Sequence, residues 1–93
     1  MDREFAQTAY SFVEVVSFRF LDKEKNKQTM CLLLEDEKLY CERLEQILLT
    51  KITETYNVSN NKQKFLQKMK LIEAKINESK IIDPSLFKFL YNK

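Results

Sequence analysis

The chain contains no glycine, and this absence limits the backbone conformations open to it. Glycine is the residue that most readily takes a positive φ angle, which tight hairpin turns and phosphate-binding loops require. Proline, the strongest helix breaker, occurs once, at Pro84. We therefore expect helices joined by short connections, and no loop that cradles a nucleotide.

The length and composition indicate one small domain, residues 1–93. Of the 93 residues, 44% are hydrophobic, which is enough to form one core without disulfides or metal. No stretch rich in proline, glycine or serine divides the chain. Cys31 and Cys41 stand ten positions apart. On one continuous helix their Cα atoms would lie about 15 Å apart, too far for a disulfide, so we interpret both as reduced thiols.

Residues 3–21 carry apolar side chains at steps of three and four, the spacing of one helix face. The members of this stripe are Phe5, Ala9, Phe12, Val13, Val16 and Phe20. A β-hairpin over residues 12–34 is the alternative, because residues 12–21 are rich in β-branched and aromatic side chains. The intervening residues 23–28 lack the glycine of a tight hairpin turn, so we prefer the helix.

Two further long helices and a short C-terminal one follow. Asp36 is a suitable N-cap for the second helix, and residues 57–61 form a turn before the third. The second helix has its apolar stripe at Tyr40, Leu44, Ile47, Leu48, Ile52 and Tyr56, and the third at Phe65, Met69, Ile72 and Ile76. Asp83 followed by Pro84 is a strong helix start that leads into the apolar residues of the segment 86–91. The predicted fold is all-α, a compact bundle of three main helices plus a short C-terminal helix.

The composition argues against catalysis and against a bound cofactor. Histidine is absent, so no side chain has an unperturbed pKa near neutrality. Glu42 and Glu45 share a helix face at this spacing, but carboxylate metal centres add histidine ligands that this chain lacks. Cys41 has no imidazole near it in the sequence to raise its thiolate fraction. We expect no enzyme activity, no cofactor and no metal site.

Residues 50–69 look like a helix-turn-helix DNA-binding unit. In such a unit an apolar residue ends the first helix, and a second apolar residue anchors the turn that follows. The residues that match these roles are Tyr56, Asn57, Val58, Ser59 and Leu66, and the candidate DNA-binding residues are Asn60, Asn61, Lys62, Lys64 and Lys68. Thr53 departs from the pattern because its position is normally small, and Gln63 because its position normally points into the core.

Four large apolar residues fall outside the main stripes: Val15, Phe18, Leu39 and Leu71. Surplus apolar surface of this kind is typical of a protein-binding site. We therefore favour a small non-enzymatic regulatory or adaptor protein that binds a protein partner. A third possibility is a self-assembling structural bundle such as a homodimer, because the stripe of the third helix has the spacing of a coiled-coil seam.

The charges are unevenly distributed along the chain. Residues 1–59 carry eight basic and eleven acidic side chains, whereas residues 60–93 carry eight basic and three acidic ones. Thirteen of the sixteen basic residues are lysine, which suits solubility or loose backbone contacts better than base readout. A nucleic-acid partner is therefore the less favoured alternative.

The sequence also bears on location. The longest apolar run, residues 30–34, is too short to span a membrane, and no leader-like segment occurs at the start. We expect a cytoplasmic or host-cytoplasmic protein with no membrane partner. The excess of lysine over arginine is typical of AT-rich genomes, and a phage- or plasmid-type inhibitor or regulator fits that composition.

Overall fold

The computed structural model describes residues 2–22, 26, 28 and 37–91. These residues form three α-helices, α1 (Arg3–Asp22), α2 (Glu37–Val58) and α3 (Lys62–Ser79), followed by a short 3-10 helix, Pro84–Phe87. None of them lies in a strand. The predicted all-α bundle of three main helices is confirmed, and the C-terminal helix is a single 3-10 turn.

Helix α1 runs without interruption through the segment that the hairpin alternative makes a strand. Its first turn is capped by Asp2, whose Oδ1 accepts a hydrogen bond from the Glu4 amide at 3.0 Å. Residues 12–21 are helical, so the hairpin over residues 12–34 is wrong; its second strand, residues 29–34, lies outside the described residues. The β propensity of this segment is overridden because the helix buries a complete apolar face against two other helices.

The core is built around α1, which contacts both α2 and α3. All six members of the α1 stripe are buried, which confirms that prediction. The side chains that cover them are Leu44, Leu48, Ile52 and Tyr56 from α2, Phe65, Leu66, Met69, Ile72 and Ile76 from α3, and Ile82, Phe87 and Leu90 from the C-terminal segment. Ile47 is only half-buried, because the core-facing residues of α2 recur at steps of four.

Helix α2 is interrupted at Arg43, where φ is −136° and ψ is 22°. The sequence pattern gave no sign of this break. At the other end, the helix stops at Val58, and Asn61 caps α3 by accepting a hydrogen bond from the Lys64 amide at 3.0 Å. The predicted turn over residues 57–61 is therefore shorter than expected. The proposed N-cap Asp36, like the side chains of Leu39 and Tyr40, lies outside the part that the structure describes.

Helix α3 is followed by its C-cap, Lys80, which takes the left-handed conformation with φ 61° and ψ 16°. Its amide donates to the Ile76 carbonyl at 2.8 Å and closes the last turn. Glycine normally occupies this position, since a Cβ atom costs about 1 kcal/mol or more there. A chain without glycine uses lysine instead. Beyond it, Asp83 caps the 3-10 helix through the Ser85 amide at 3.0 Å, and Pro84 takes the first helical position, as predicted.

A fully buried asparagine joins α1 to the segment that follows α3. The Nδ2 group of Asn26 donates to the Arg19 carbonyl at 2.8 Å and to the Lys80 carbonyl at 3.4 Å. Its Oδ1 accepts a hydrogen bond from the Ile82 amide at 3.0 Å. Since Asn26 is 0% exposed, these bonds satisfy groups that water does not reach.

Aromatic rings connect the parts of the core. Phe5 stacks on Tyr56 with ring centroids 4.1 Å apart, and Tyr56 lies 6.0 Å from Phe65. Phe65 lies 5.5 Å from Phe89 in an edge arrangement. Phe12 contacts the same C-terminal segment, with its ring 6.5 Å from Phe89. These contacts fix all three helices and the C-terminal segment to one another.

The Asp2–Tyr56 hydrogen bond adds a pH-dependent tie between α1 and α2. The Tyr56 hydroxyl donates to Asp2 Oδ2 at 2.7 Å, and this bond is the main reason why the pKa of Asp2 lies below its ordinary value of 3.8. The same bond, together with burial and the negative charges of Asp2 and Glu4, raises the pKa of Tyr56 above 10.0. This hydrogen bond therefore stabilises the fold in the pH range between the pKa of Asp2 and the pKa of Tyr56.

Replacing Tyr56 with phenylalanine is expected to make stability less dependent on pH. A depressed carboxyl pKa contributes stability that is lost as the pH falls through the folded value, and a raised tyrosine pKa contributes stability that is lost as the pH rises through the folded value. The difference in stability between the wild type and Tyr56→Phe should therefore be largest at neutral pH. It should decrease below about pH 4 and above about pH 10. Thermal unfolding across that range measures it. Tyr10→Phe is the control, since Tyr10 is 61% exposed; a constant difference at every pH would contradict the expectation.

Candidate functional site

Two of the four predicted protein-binding residues are exposed to solvent. Phe18 is 64% exposed and Leu71 is 65% exposed, although every member of the apolar stripes on α1 and α3 is buried. Val15 is half-buried and packs against the core, so it belongs to the fold. The side chain of Leu39 lies outside the described residues. The candidate surface therefore has one apolar residue on α1 and one on α3.

Phe18 lies on the outward face of α1 together with Tyr10 and Glu14. All three are exposed, and at steps of four residues they follow one side of the helix. Tyr10 is 61% exposed and is a further off-stripe residue that the four candidates from the sequence do not include. The Arg19 guanidinium carbon lies 5.1 Å from the Phe18 ring centroid. This face of α1 thus presents two aromatic rings, one of them with a cation beside it.

Leu71 lies at the centre of a basic stripe on α3. We call Lys64, Lys68, Leu71 and Lys75 the outward stripe; all four are exposed and follow one another at steps of four, three and four. The apolar seam of the same helix, residues 65, 69, 72 and 76, has the same spacing and is offset by one residue. That seam is at most 8% exposed and packs within the molecule, so the surface on which the self-assembly interpretation relied is already occupied.

Helix α3, which carries the outward stripe, is held by contacts on two of its sides. Toward α1, Ser11 donates to Glu73 at 2.6 Å, and Lys70 forms an ion pair with Glu4 at 3.4 Å. Toward the C-terminal segment, the Lys68 ammonium lies 5.4 Å from the Phe89 ring centroid. Because these contacts hold α3 along both edges, the stripe is presented on a fixed helix.

The turn between α2 and α3 does not pack as the helix-turn-helix interpretation requires. Val58, the predicted anchor of that turn, is 79% exposed, so this assignment is wrong. Gln63, whose equivalent normally points into the core, is exposed as well. Tyr56 and Leu66 are buried as that pattern expects. The first buried residues of α3 are Phe65 and Leu66, two and three positions after Gln63.

Two of the five candidate DNA-binding residues have structural roles at the turn. Asn61 caps α3, and the Lys62 ammonium donates to the Ser59 carbonyl at 3.3 Å while lying 5.2 Å from the Tyr56 ring centroid. These contacts satisfy the end of α2 and the start of α3. Asn60, Lys64 and Lys68 remain exposed, and the two lysines belong to the outward stripe.

The shifted pKa values have structural causes. Burial raises the pKa of Tyr91 to about 12, and the Ser85 amide hydrogen bond lowers the pKa of Asp83, which is a helix cap. Asp2 and Tyr56 shift because they bond to each other. Perturbed groups at catalytic sites gather in one cleft, whereas these lie at helix ends and in the core.

The depressions in the surface are open and shallow. One of about 720 Å³ lies between the end of α3 and the 3-10 helix, and its lining includes Lys75, Ile81 and Leu86. Within the described ranges, no three cysteine, aspartate or glutamate side chains come together as metal ligands would. In the same part of the chain, no helix has the length and hydrophobicity needed to cross a bilayer. Searches against protein-family models, curated proteins and solved structures found no match to this chain.

Proposed function

We propose that this chain is a small non-enzymatic regulatory or adaptor protein that binds a protein partner through exposed apolar side chains on α1 and α3. The observation that carries the proposal is the exposure of Phe18 and Leu71, 64% and 65%, on helices whose stripe residues are all buried. Burying one such side chain against a partner gains about 1.5–3 kcal/mol. Both side chains stand on regular helices, so a partner meets them in a fixed geometry.

A first measurement separates surface from core. Phe18→Ser and Leu71→Ser are expected to change the melting temperature by less than about 3 °C, since neither side chain supports the core. Val16→Ser and Ile72→Ser, at buried positions one or two residues away, should each lower the free energy of unfolding by about 3 kcal/mol or more. A large loss of stability for either surface variant would show that its side chain belongs to the core.

The second measurement is binding. The partner is isolated from cells of the source organism on the immobilised chain, purified, and titrated by calorimetry against each variant. Phe18→Ser or Leu71→Ser is expected to weaken the complex by about tenfold, because truncating an interface anchor costs more than 1 kcal/mol. Gln7→Ser and Asn77→Ser, at exposed positions farther from Phe18 and Leu71 on the same helices, are matched controls expected to change affinity less than twofold. Retention of no protein, or equal affinity for all variants, would contradict the proposal.

Light scattering over a range of concentrations distinguishes a foreign partner from self-association. A monomer at every concentration leaves both apolar residues available to another protein. A stable dimer whose formation is prevented by Phe18→Ser or Leu71→Ser would mean that the partner is a second copy of this chain, and the proposal of a foreign partner would fail.

A further inference from the structure

We infer that the outward stripe of α3 docks an acidic amphipathic helix of the partner. This inference rests on the proposed function and adds the chemistry and shape of the partner segment. The stripe presents three ammonium groups around one leucine, all on the exposed side of a capped helix. A complementary surface has carboxylates around an apolar residue.

The spacing of the stripe indicates a helical partner. Lys64, Lys68, Leu71 and Lys75 recur every three or four residues, so they form a straight row about 16 Å long along α3. A row with this repeat is what a second helix meets when it lies alongside the first and inserts its side chains between the turns. The inward seam of α3, one residue away, is buried where α3 contacts α1.

The charges indicate the sign of the partner. Lys64 and Lys75 stand on either side of Leu71, and Lys68 lies one turn before it. Within the outward face, Glu78 is the nearest acid along the row, and it follows the last lysine. An acidic helix therefore meets three positive charges in succession and a negative one at the end, which fixes its direction along α3.

The borders of the stripe restrict where an acidic helix can lie. Glu73, which accepts a hydrogen bond from Ser11, lies about 180° around α3 from Lys64, so the edge of α3 that meets α1 does not border the stripe. On the other side, Phe89 is half-buried beneath Lys68. Beyond Lys75, the shallow depression is lined by the apolar Ile81 and Leu86 and by the acidic Glu78 and Asp83. The stripe is therefore bordered by Phe89 beside Lys68 and by both apolar and acidic side chains beyond Lys75.

Leu71 favours a protein over a nucleic acid. A leucine exposed at the centre of a basic row has no partner among phosphates, whereas an amphipathic helix buries it. The basic side chains of the stripe are all lysine, whose compact ammonium groups pair with single carboxylates. An acidic helix with a central apolar residue uses every member of the stripe.

The test is a titration of the full chain, labelled with ¹⁵N, with a synthetic helix that carries three glutamates and a leucine at the spacing of the stripe. Amide signals of residues 64–75 are expected to shift, while those of the α1 face around Phe18 stay in place. Leu71→Ser should weaken binding by about tenfold, and Lys64→Glu with Lys75→Glu by about a hundredfold. Arg3→Glu with Arg43→Glu makes the same change in net charge away from the stripe and is expected to change affinity less than threefold.

Other outcomes overturn the inference. If the synthetic helix shifts no amide signal in the stripe, the surface does not bind an acidic amphipathic helix. The same conclusion follows if replacing the leucine of that helix with serine leaves its affinity unchanged. Tighter binding of duplex DNA than of the peptide, with a steep loss as salt rises, would make the stripe a phosphate-binding surface. The proposed function survives these results if the natural partner still depends on Phe18. If neither Phe18→Ser nor Leu71→Ser weakens binding of the natural partner, the proposed function itself fails.

Discussion

Replacing Asn26 with alanine is expected to lower the free energy of unfolding by about 3 kcal/mol. The substitution leaves the Ile82 amide and the Arg19 and Lys80 carbonyls without the side chain that bonds them. Asn26 is 0% exposed and Ile82 is 1% exposed, so water does not replace the lost bonds freely. In a domain of this size the melting temperature should fall by more than about 10 °C.

Chemical unfolding of Asn26→Ala beside Asn77→Ala measures this effect. Asn77 is exposed on α3, so its replacement removes the same chemical group without uncovering a buried one. The Asn77 variant is expected to stay within about 0.5 kcal/mol of the wild type. If both variants lose the same small amount of stability, the hydrogen bonds of Asn26 do not hold the end of α1 to the segment after α3.

Replacing Phe12 with alanine is expected to cost about 3–5 kcal/mol of stability, the largest effect of any single truncation proposed here. The ring is 0% exposed at the centre of α1. It lies 6.1 Å from the Phe87 ring and 6.5 Å from the Phe89 ring, so its removal opens a cavity between α1 and the C-terminal segment. Urea unfolding of the variant gives the loss directly.

The cavity explanation has its own control. Phe12→Leu keeps most of the volume and should lose less than half as much stability as Phe12→Ala. A double-mutant cycle combines Phe12→Ala with Phe87→Ala. We expect a coupling free energy of about 1 kcal/mol, because either truncation alone already removes the edge contact between the two rings. Strict additivity would mean that the two rings do not support each other.

The elements of the fold follow from local patterns that the sequence displays. The α1 stripe is visible because Phe5, Phe12 and Phe20 recur on one face, and burial of that face is what makes the helix stable. Asp83 and Pro84 predict the last helical turn because each has a conformation suited to a helix start. These predictions use side-chain spacing and capping, which act within a few residues.

The features missed by sequence reasoning depend on partners far along the chain. Asn26 stands in a charged segment with no apolar period, and its bonds reach residues 54 and 56 positions away. The left-handed turn at Lys80 had no glycine to mark it. Val58 looked like a buried anchor because it is apolar, yet the packing of Tyr56 ends the contact of α2 with the core before Val58 is reached.

The candidate site was predicted in part for the same reason. Phe18 and Leu71 were identified because an apolar residue off the stripe is visible in a linear sequence. The outward stripe is not visible in this way, since Lys64 and Lys68 fall within the predicted helix-turn-helix segment and Lys75 lies beyond it. The three lysines and Leu71 form one exposed row because the neighbouring seam of α3 is buried. That burial depends on how α3 packs against α1.

The central position of α1 has a consequence for how the protein is made. Its partners are translated long after it, since Ser11 bonds to a residue 62 positions later and Glu4 to one 66 positions later. While the ribosome completes α3, the first helix has only α2 against which to bury its phenylalanines. The nascent chain therefore folds late and as a unit, and the interval before release is when it is most open to aggregation or to capture by a chaperone.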